Sequence, residues 1–149
     1  MKIHINGNNF EMPEFADNYL GYLLARGSYE VSAQFHQRLR EEGVSVITWR
    51  VLASIQNQSN TVNELARKVL VNQSTLSKAL DRMERDRLIR RQRVPEFRSK
   101  INVQITASGK ELIDRLIIIA NQHEDHSFSN MNEGELAELH RLLKKLVNL

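Results

Sequence analysis

The side chains with the most chemical capacity in this sequence lie between Gln73 and Lys100, and their chemistry is polar recognition of a polyanion. Plotted on a helix, Ser74, Ser77, Lys78, Asp81, Arg82 and Arg85 share one face, opposite Leu76, Ala79, Leu80 and Met83, with Gln73 and Thr75 in the first turn. A glutamine amide matches adenine with two hydrogen bonds, a lysine donates to guanine acceptors, and hydroxyls reach base edges or phosphates. The free amides and positive dipole end of the first turn also favour a phosphate nearby. Arg91, Arg93, Arg98 and Lys100 follow, in a stretch where Arg87 and Arg90 add to the cations and only Glu84, Asp86 and Glu96 oppose them. Arginine is favoured in a narrow minor groove, where the negative potential is enhanced. The net charge is only +3, so this arginine-rich segment stands on a nearly neutral remainder. Such a distribution suggests a nucleic-acid footprint more than general solubility. Arginines also deter edge pairing of hairpins, but that protection needs fewer charges.

Other chemistries lack their residues. The absence of cysteine removes disulfides, thiolate metal sites and cysteine nucleophiles. No glycine-rich phosphate loop, Ser-His-Asp arrangement or paired carboxylates stand out, so neither an enzyme nor a cofactor is expected. His123 and His126 share a helical face beside Glu124 and Asp125, but a third ligand is not identifiable and no metal site is expected.

These groups need elements to position them. The chain has 149 residues, of which 41% are hydrophobic and 26% charged, as one folded domain requires. Helical spacing runs from Asp17 to about Glu41, with Gly43 suited to end it. A second helix is expected from Ser45 to Ile55, burying Val46 or Ile47, Trp49, Leu52 and Ile55. Thr61-Val62-Asn63-Glu64 has the pattern of a capping box opening a short third helix, and Asn72 can cap a fourth that reaches about Arg87. Alternation at Ile101, Val103 and Ile105 predicts a strand, with Leu88 to Val94 as its partner and Pro95 to Ser99 as the loop. Thr106 can cap a fifth helix, and Leu136, Leu139, Leu143 and Leu146 mark a sixth.

The fold class is therefore mainly α with a small β-hairpin wing: a winged helix-turn-helix in the order α-α-α-α-β-β-α-α. One continuous domain is expected, with residues 1–16 as an N-terminal tail or arm and 44–106 as the winged DNA-binding region. Residues 17–43 and 107–149 form a helical dimerisation region. Ile117, Ile118, Ile119 and Ala120 make the fifth helix apolar nearly all round, and a second copy of the chain is the simplest cover. A homodimer would set two recognition helices roughly 34 Å apart on duplex DNA.

The run from Val62 to Ala66, the run from Asn72 to Lys78 and Leu80-Asp81-Arg82-Met83-Glu84 resemble the multiple antibiotic resistance regulator (MarR) family. Ile105-Thr106-Ala107-Ser108-Gly109 looks like that family's Leu-Thr-x-x-Gly segment after the wing. The resemblance implies a triangular homodimer on a pseudo-palindromic operator, acting as a transcriptional regulator, with repression the expected mode. It also implies a small-molecule effector, for which Tyr22, His36 and Trp49 are candidate contacts; the same aromatics fit an ordinary core. Where the family's wing carries Asp-x-Arg, this chain has Glu96-Phe97-Arg98 and one extra residue before Ile105. The alternative function is a winged-helix protein-protein adaptor, which would not need the cations. No run of about 18 apolar residues suggests a membrane span, and the N-terminus lacks the apolar core of a secretion signal, so cytoplasmic residence is expected.

Overall fold

The computed structural model describes residues 3–5, 8–10, 15, 17–94 and 97–148. They fall into two compact units, Met1–Gln37 and Arg38–Leu149. In the first, strands β1 (Ile3–Ile5) and β2 (Asn8–Phe10) pair antiparallel, with Ile3 opposite Phe10 and Ile5 opposite Asn8. The segment expected to be a tail or arm thus contains paired strands. The Phe15 and Tyr19 rings stack at 5.4 Å. Helix α1 (Leu20–Glu41) begins in this unit and ends in the second.

Gly43 ends α1 as its type predicts. It adopts φ 68°, and the Val44 amide donates back to the Leu39 carbonyl at 2.8 Å, closing a Schellman-type turn. Ser45 then caps α2 (Val46–Ile55) by accepting from the Thr48 amide at 3.0 Å. Helix α2 buries Val51, Leu52 and Ile55, while Trp49 is half-buried. The expected burial was therefore right for Leu52 and Ile55 and misplaced at Trp49. Strand β3 (Asn60–Thr61) occupies a stretch whose composition reads as a turn, and it pairs with Val103 and Asn102.

Helices α3 (Val62–Val69) and α4 (Gln73–Arg85) form the helix-turn-helix. Leu65 and Val69 of α3, and Leu76, Leu80 and Met83 of α4, are fully buried, so the apolar periodicity fixes which side faces inward. Between the helices Leu70 adopts φ 57°, a left-handed conformation that costs a branched residue energy and that glycine adopts freely. The wing is β4 (Ile89–Val94) paired antiparallel with β5 (Phe97–Ile105), and β5 lies between β4 and β3 in one sheet. Strand β5 starts earlier than alternation predicts and takes in Phe97 to Ser99, which were expected in the loop. The register jumps from Arg93 opposite Ile101 to Val94 opposite Phe97, an irregularity that counting by twos cannot detect.

Helix α5 (Ala107–Ser127) starts where Thr106 accepts from the Gly109 amide at 3.1 Å. Ile113 and Leu116 are buried, but Ile118 is 60% exposed, so packing within the chain leaves part of the apolar helix uncovered. Helix α6 (Glu133–Leu146) has no fully buried residue, and Leu142, Leu143 and Leu146 are exposed. The order of helices with the hairpin wing is α-α-α-α-β-β-α-α. Among the described residues no helix is long and apolar enough to cross a membrane.

Candidate nucleic-acid interface

The interface is built on α4. Asn72 accepts from the Thr75 amide at 2.8 Å and from the Ser74 hydroxyl at 2.9 Å, which fixes the first turn. Gln73, Ser74, Lys78 and Arg82 are exposed, and Thr75 and Ser77 are half-buried at the edge of the same face. Arg82 stays accessible, with a loose contact to Asp86 at 3.7 Å. These side chains stand side by side along the helix, as the wheel predicts.

Ahead of them, the capping box at α3 is complete. The Glu64 carboxylate accepts from the Thr61 amide at 2.7 Å and the Thr61 hydroxyl at 2.8 Å, and the Glu64 amide donates to the Thr61 oxygen. The hydrogen bonds from Thr61 hold the Glu64 carboxyl below its ordinary pKa, so it remains an acceptor committed to the cap. A groove of about 430 Å³ runs between the start of α3, the edge of α4 that carries Gln73 and Ser77, and the hairpin. Asn63, Arg67, Gln73, Ser77, Arg91 and Lys100 line it. Asn63 and Arg67 were not picked out from the sequence. The available signal was their position on α3, whose exposed side faces the same groove.

The wing cations are not equivalent. Arg93 and Lys100 are exposed, whereas the side chain of Arg98 lies outside the described residues, as do Pro95 and Glu96. Arg91, expected to reach towards DNA, is held against α4. Its Nε and one terminal nitrogen donate to a single Glu84 oxygen at 2.9 and 2.7 Å, and the terminal nitrogen also meets Asp81 at 2.8 Å. The Arg91 backbone amide donates to the other Glu84 oxygen at 2.9 Å. Those bonds from Arg91 pull the Glu84 carboxyl below its usual range and push the guanidinium up. Arg90 turns to the other side of the strand and donates to Gln104 at 2.8 Å.

Such a surface, with cations, amides and hydroxyls on a capped helix beside an arginine-bearing hairpin, can grip a duplex. The profile described as MarR family matches residues 42–96, which span this helix-turn-helix and the first wing strand. A MarR family transcriptional regulator from Silicibacter pomeroyi DSS-3 is 32% identical, with a TM-score of 0.78 over 90% of this chain and 96% of that one. The chain belongs to the MarR family. It is a DNA-binding transcriptional regulator rather than an enzyme. Among curated relatives, the HTH-type transcriptional repressor NicR of Pseudomonas putida is 26% identical over 130 residues, covering 87% of this chain and 82% of that protein. The Bordetella bronchiseptica regulator BpsR, whose DNA binding is regulated by 6-hydroxynicotinic acid, shares the fold at 22% identity and a TM-score of 0.76 over 86% of this chain and 98% of that one.

Of the candidate effector contacts, Tyr22 is 41% exposed and His36 and Trp49 are half-buried. Near the end of α5, Glu124 meets His140 of α6 at 3.5 Å, and His123 shares a hydrogen bond with Ser127 at 3.1 Å. No group of three or more His, Cys, Asp or Glu side chains that could hold a metal occurs among the described residues.

Proposed function

We propose that this MarR regulator is a repressor that binds a pseudo-palindromic operator as a homodimer and is released by a small-molecule effector. The observation that carries the reading is the outer face of α4. Gln73, Ser74, Thr75 and Ser77 read base edges in the major groove, while Lys78 and Arg82 meet bases or phosphates. Arg93, Arg98 and Lys100 extend the contact from the wing. Residues 44–106 serve as the DNA-binding region, and 17–43 with 107–149 as the dimerisation region. The apolar exposure of Ile118, Leu142 and Leu146 supports a dimer, because a second copy would cover it. Repression is supported by the related NicR, a transcriptional repressor. The effector class we put first is a small aromatic acid, by analogy with the Bordetella regulator. Tyr22, His36 and Trp49 are its proposed contacts.

Selection of binding sites from random duplex DNA tests the reading directly, and should return a two-fold symmetric site with half-sites about one helical turn apart. Affinity for that site should fall linearly in the logarithm of salt concentration. Lys78→Ala and Arg82→Ala should each reduce the slope by about 1 if they meet phosphates. Gln73→Ala should instead relax base preference at one position with little change in slope. Selection that returns no preferred sequence, or affinity insensitive to salt, would overturn the proposal.

A further inference from the structure

Two carboxylates on a helix that enters DNA are a liability, since by charge alone they repel phosphate. Asp81 and Glu84 sit one turn apart on α4, beside Lys78 and Arg82, and both are spent on Arg91. Arg91 is the least exposed of the three, at 28% of its side chain. Its neighbour Ile89, on the same face of β4, is buried in the core. The guanidinium grips Glu84 through two of its nitrogens, Nε and a terminal one, and that terminal nitrogen also meets Asp81, so the planar group is held in orientation; a lysine ammonium is a point charge on a flexible stem and would be held less firmly. Isolated surface ion pairs contribute little, but a multiply bonded arginine within a network is the exception. Here the network also includes the Arg91 backbone amide, so Glu84 holds the strand itself as well as the side chain. Between helix and strand the chain turns through Arg87 at φ 58°, and this cluster bridges the turn.

Building on the DNA-binding reading, we propose that Arg91 is a positioning residue rather than a DNA contact. Held by Asp81 and Glu84, it fixes the angle of the wing against the recognition helix. Operator specificity then depends on two acidic residues whose charge opposes DNA. The three side chains together carry a net charge of −1, so the cluster offers a phosphate no attraction. Its contribution is geometric: it allows helix and wing to reach their grooves simultaneously.

The test uses the full-length protein, the duplex that it selects from random DNA, and a mixed-sequence duplex of equal length. Binding to each is followed by fluorescence anisotropy over a range of potassium chloride concentrations. Glu84→Gln removes a charge that repels DNA, yet should weaken the selected duplex about tenfold or more while leaving the mixed duplex unchanged or tighter. Arg91→Ala should weaken the selected duplex similarly without changing its salt slope. Arg91→Lys should not rescue it, and covers the case in which the alanine variant fails to fold. The exchanged pair Glu84→Arg with Arg91→Glu should recover part of the loss. A fall in slope of about 0.9 for Arg91→Ala, the value for one lost phosphate contact, would overturn the proposal. Equal tightening of both duplexes by Glu84→Gln would do the same, leaving only repulsion. If the unmodified protein prefers no duplex, the DNA-binding reading fails and the positioning role with it, an outcome distinct from either of these.

Discussion

Gly109 is the position where a single methyl group should do the most damage. It is buried in the first turn of α5, against the carbonyl of Leu88. A Cβ placed there would lie 2.1 Å from the Leu88 oxygen and 2.9 Å from Cγ1 of Ile105. Carbon and carbonyl oxygen ordinarily approach to about 3.3 Å, so more than about 1 Å must open. The carbonyl cannot retreat freely, because it accepts from the Thr106 amide at 3.1 Å. Overpacking of this kind costs about 1–3 kcal/mol. Losing the hydrogen bond adds about 1 kcal/mol. The better helix propensity of alanine offsets about 1 kcal/mol. Gly109→Ala should therefore destabilise by about 1–3 kcal/mol, which in a chain of this size lowers Tm by about 2–12 °C. Gly27 in α1 provides the contrast, since a Cβ there would meet nothing within 4 Å. Gly27→Ala should raise stability by about 0.5–1 kcal/mol. Thermal melts followed by circular dichroism would check both, at one protein concentration, because association makes Tm depend on concentration. If Gly109→Ala melted at or above the unmodified protein while Gly27→Ala rose as expected, the close approach of α5 to Leu88 would be refuted.

Two further expectations follow from the backbone and the charges. Leu70 is left-handed and 78% exposed, so Leu70→Gly should relieve strain without opening a cavity, raising Tm by a few degrees in the same melts. Glu84 has its carboxyl pKa depressed by Arg91, so its contribution is present above the unfolded carboxylate pKa of about 4.3 and is lost as pH falls through the lower folded value. The Tm difference between the unmodified protein and Glu84→Gln should be full at pH 6 and shrink towards zero on acidification below about pH 4. A difference that stayed constant would show that the carboxylate charge is not what holds Arg91.

Much of this architecture is legible because local rules and tertiary packing agree. Thr61 with Glu64, Asn72 and Thr106 announce helix starts through hydrogen bonds a few residues long, and Gly43 announces an end. The inward face of α4 follows from period alone. What escaped the sequence reading depends on which distant segments meet. Strand β3 has two residues, too few for any periodicity, and exists because β5 has an edge to pair with. The N-terminal strands do carry a local signal, since Asn6-Gly7 between alternating residues is a strong hairpin cue. Arg91 is the instructive case. Among its arginine neighbours it looks like one more cation, and its partners lie on the preceding helix. Counting by twos from Ile89 places it on the inward face of its strand, and that parity was the clue.

The contacts around Gly109 also have a mechanical consequence. The Thr106 hydroxyl donates to the Arg87 carbonyl at 2.6 Å, and its amide donates to Leu88. The root of α5 is thus bolted to the joint between recognition helix and wing, with no side-chain cushion at Gly109 to absorb play. Helix α5 has 21 residues and is roughly 30 Å long at about 1.5 Å per residue. It is a lever with its short end at the joint between α4 and the wing. A sideways shift of about 2 Å at the Ser127 end amounts to a rotation of roughly 4° at Leu88 on that arm length. If the proposed operator contacts hold, a change in the tilt of α5 should therefore also re-aim α4.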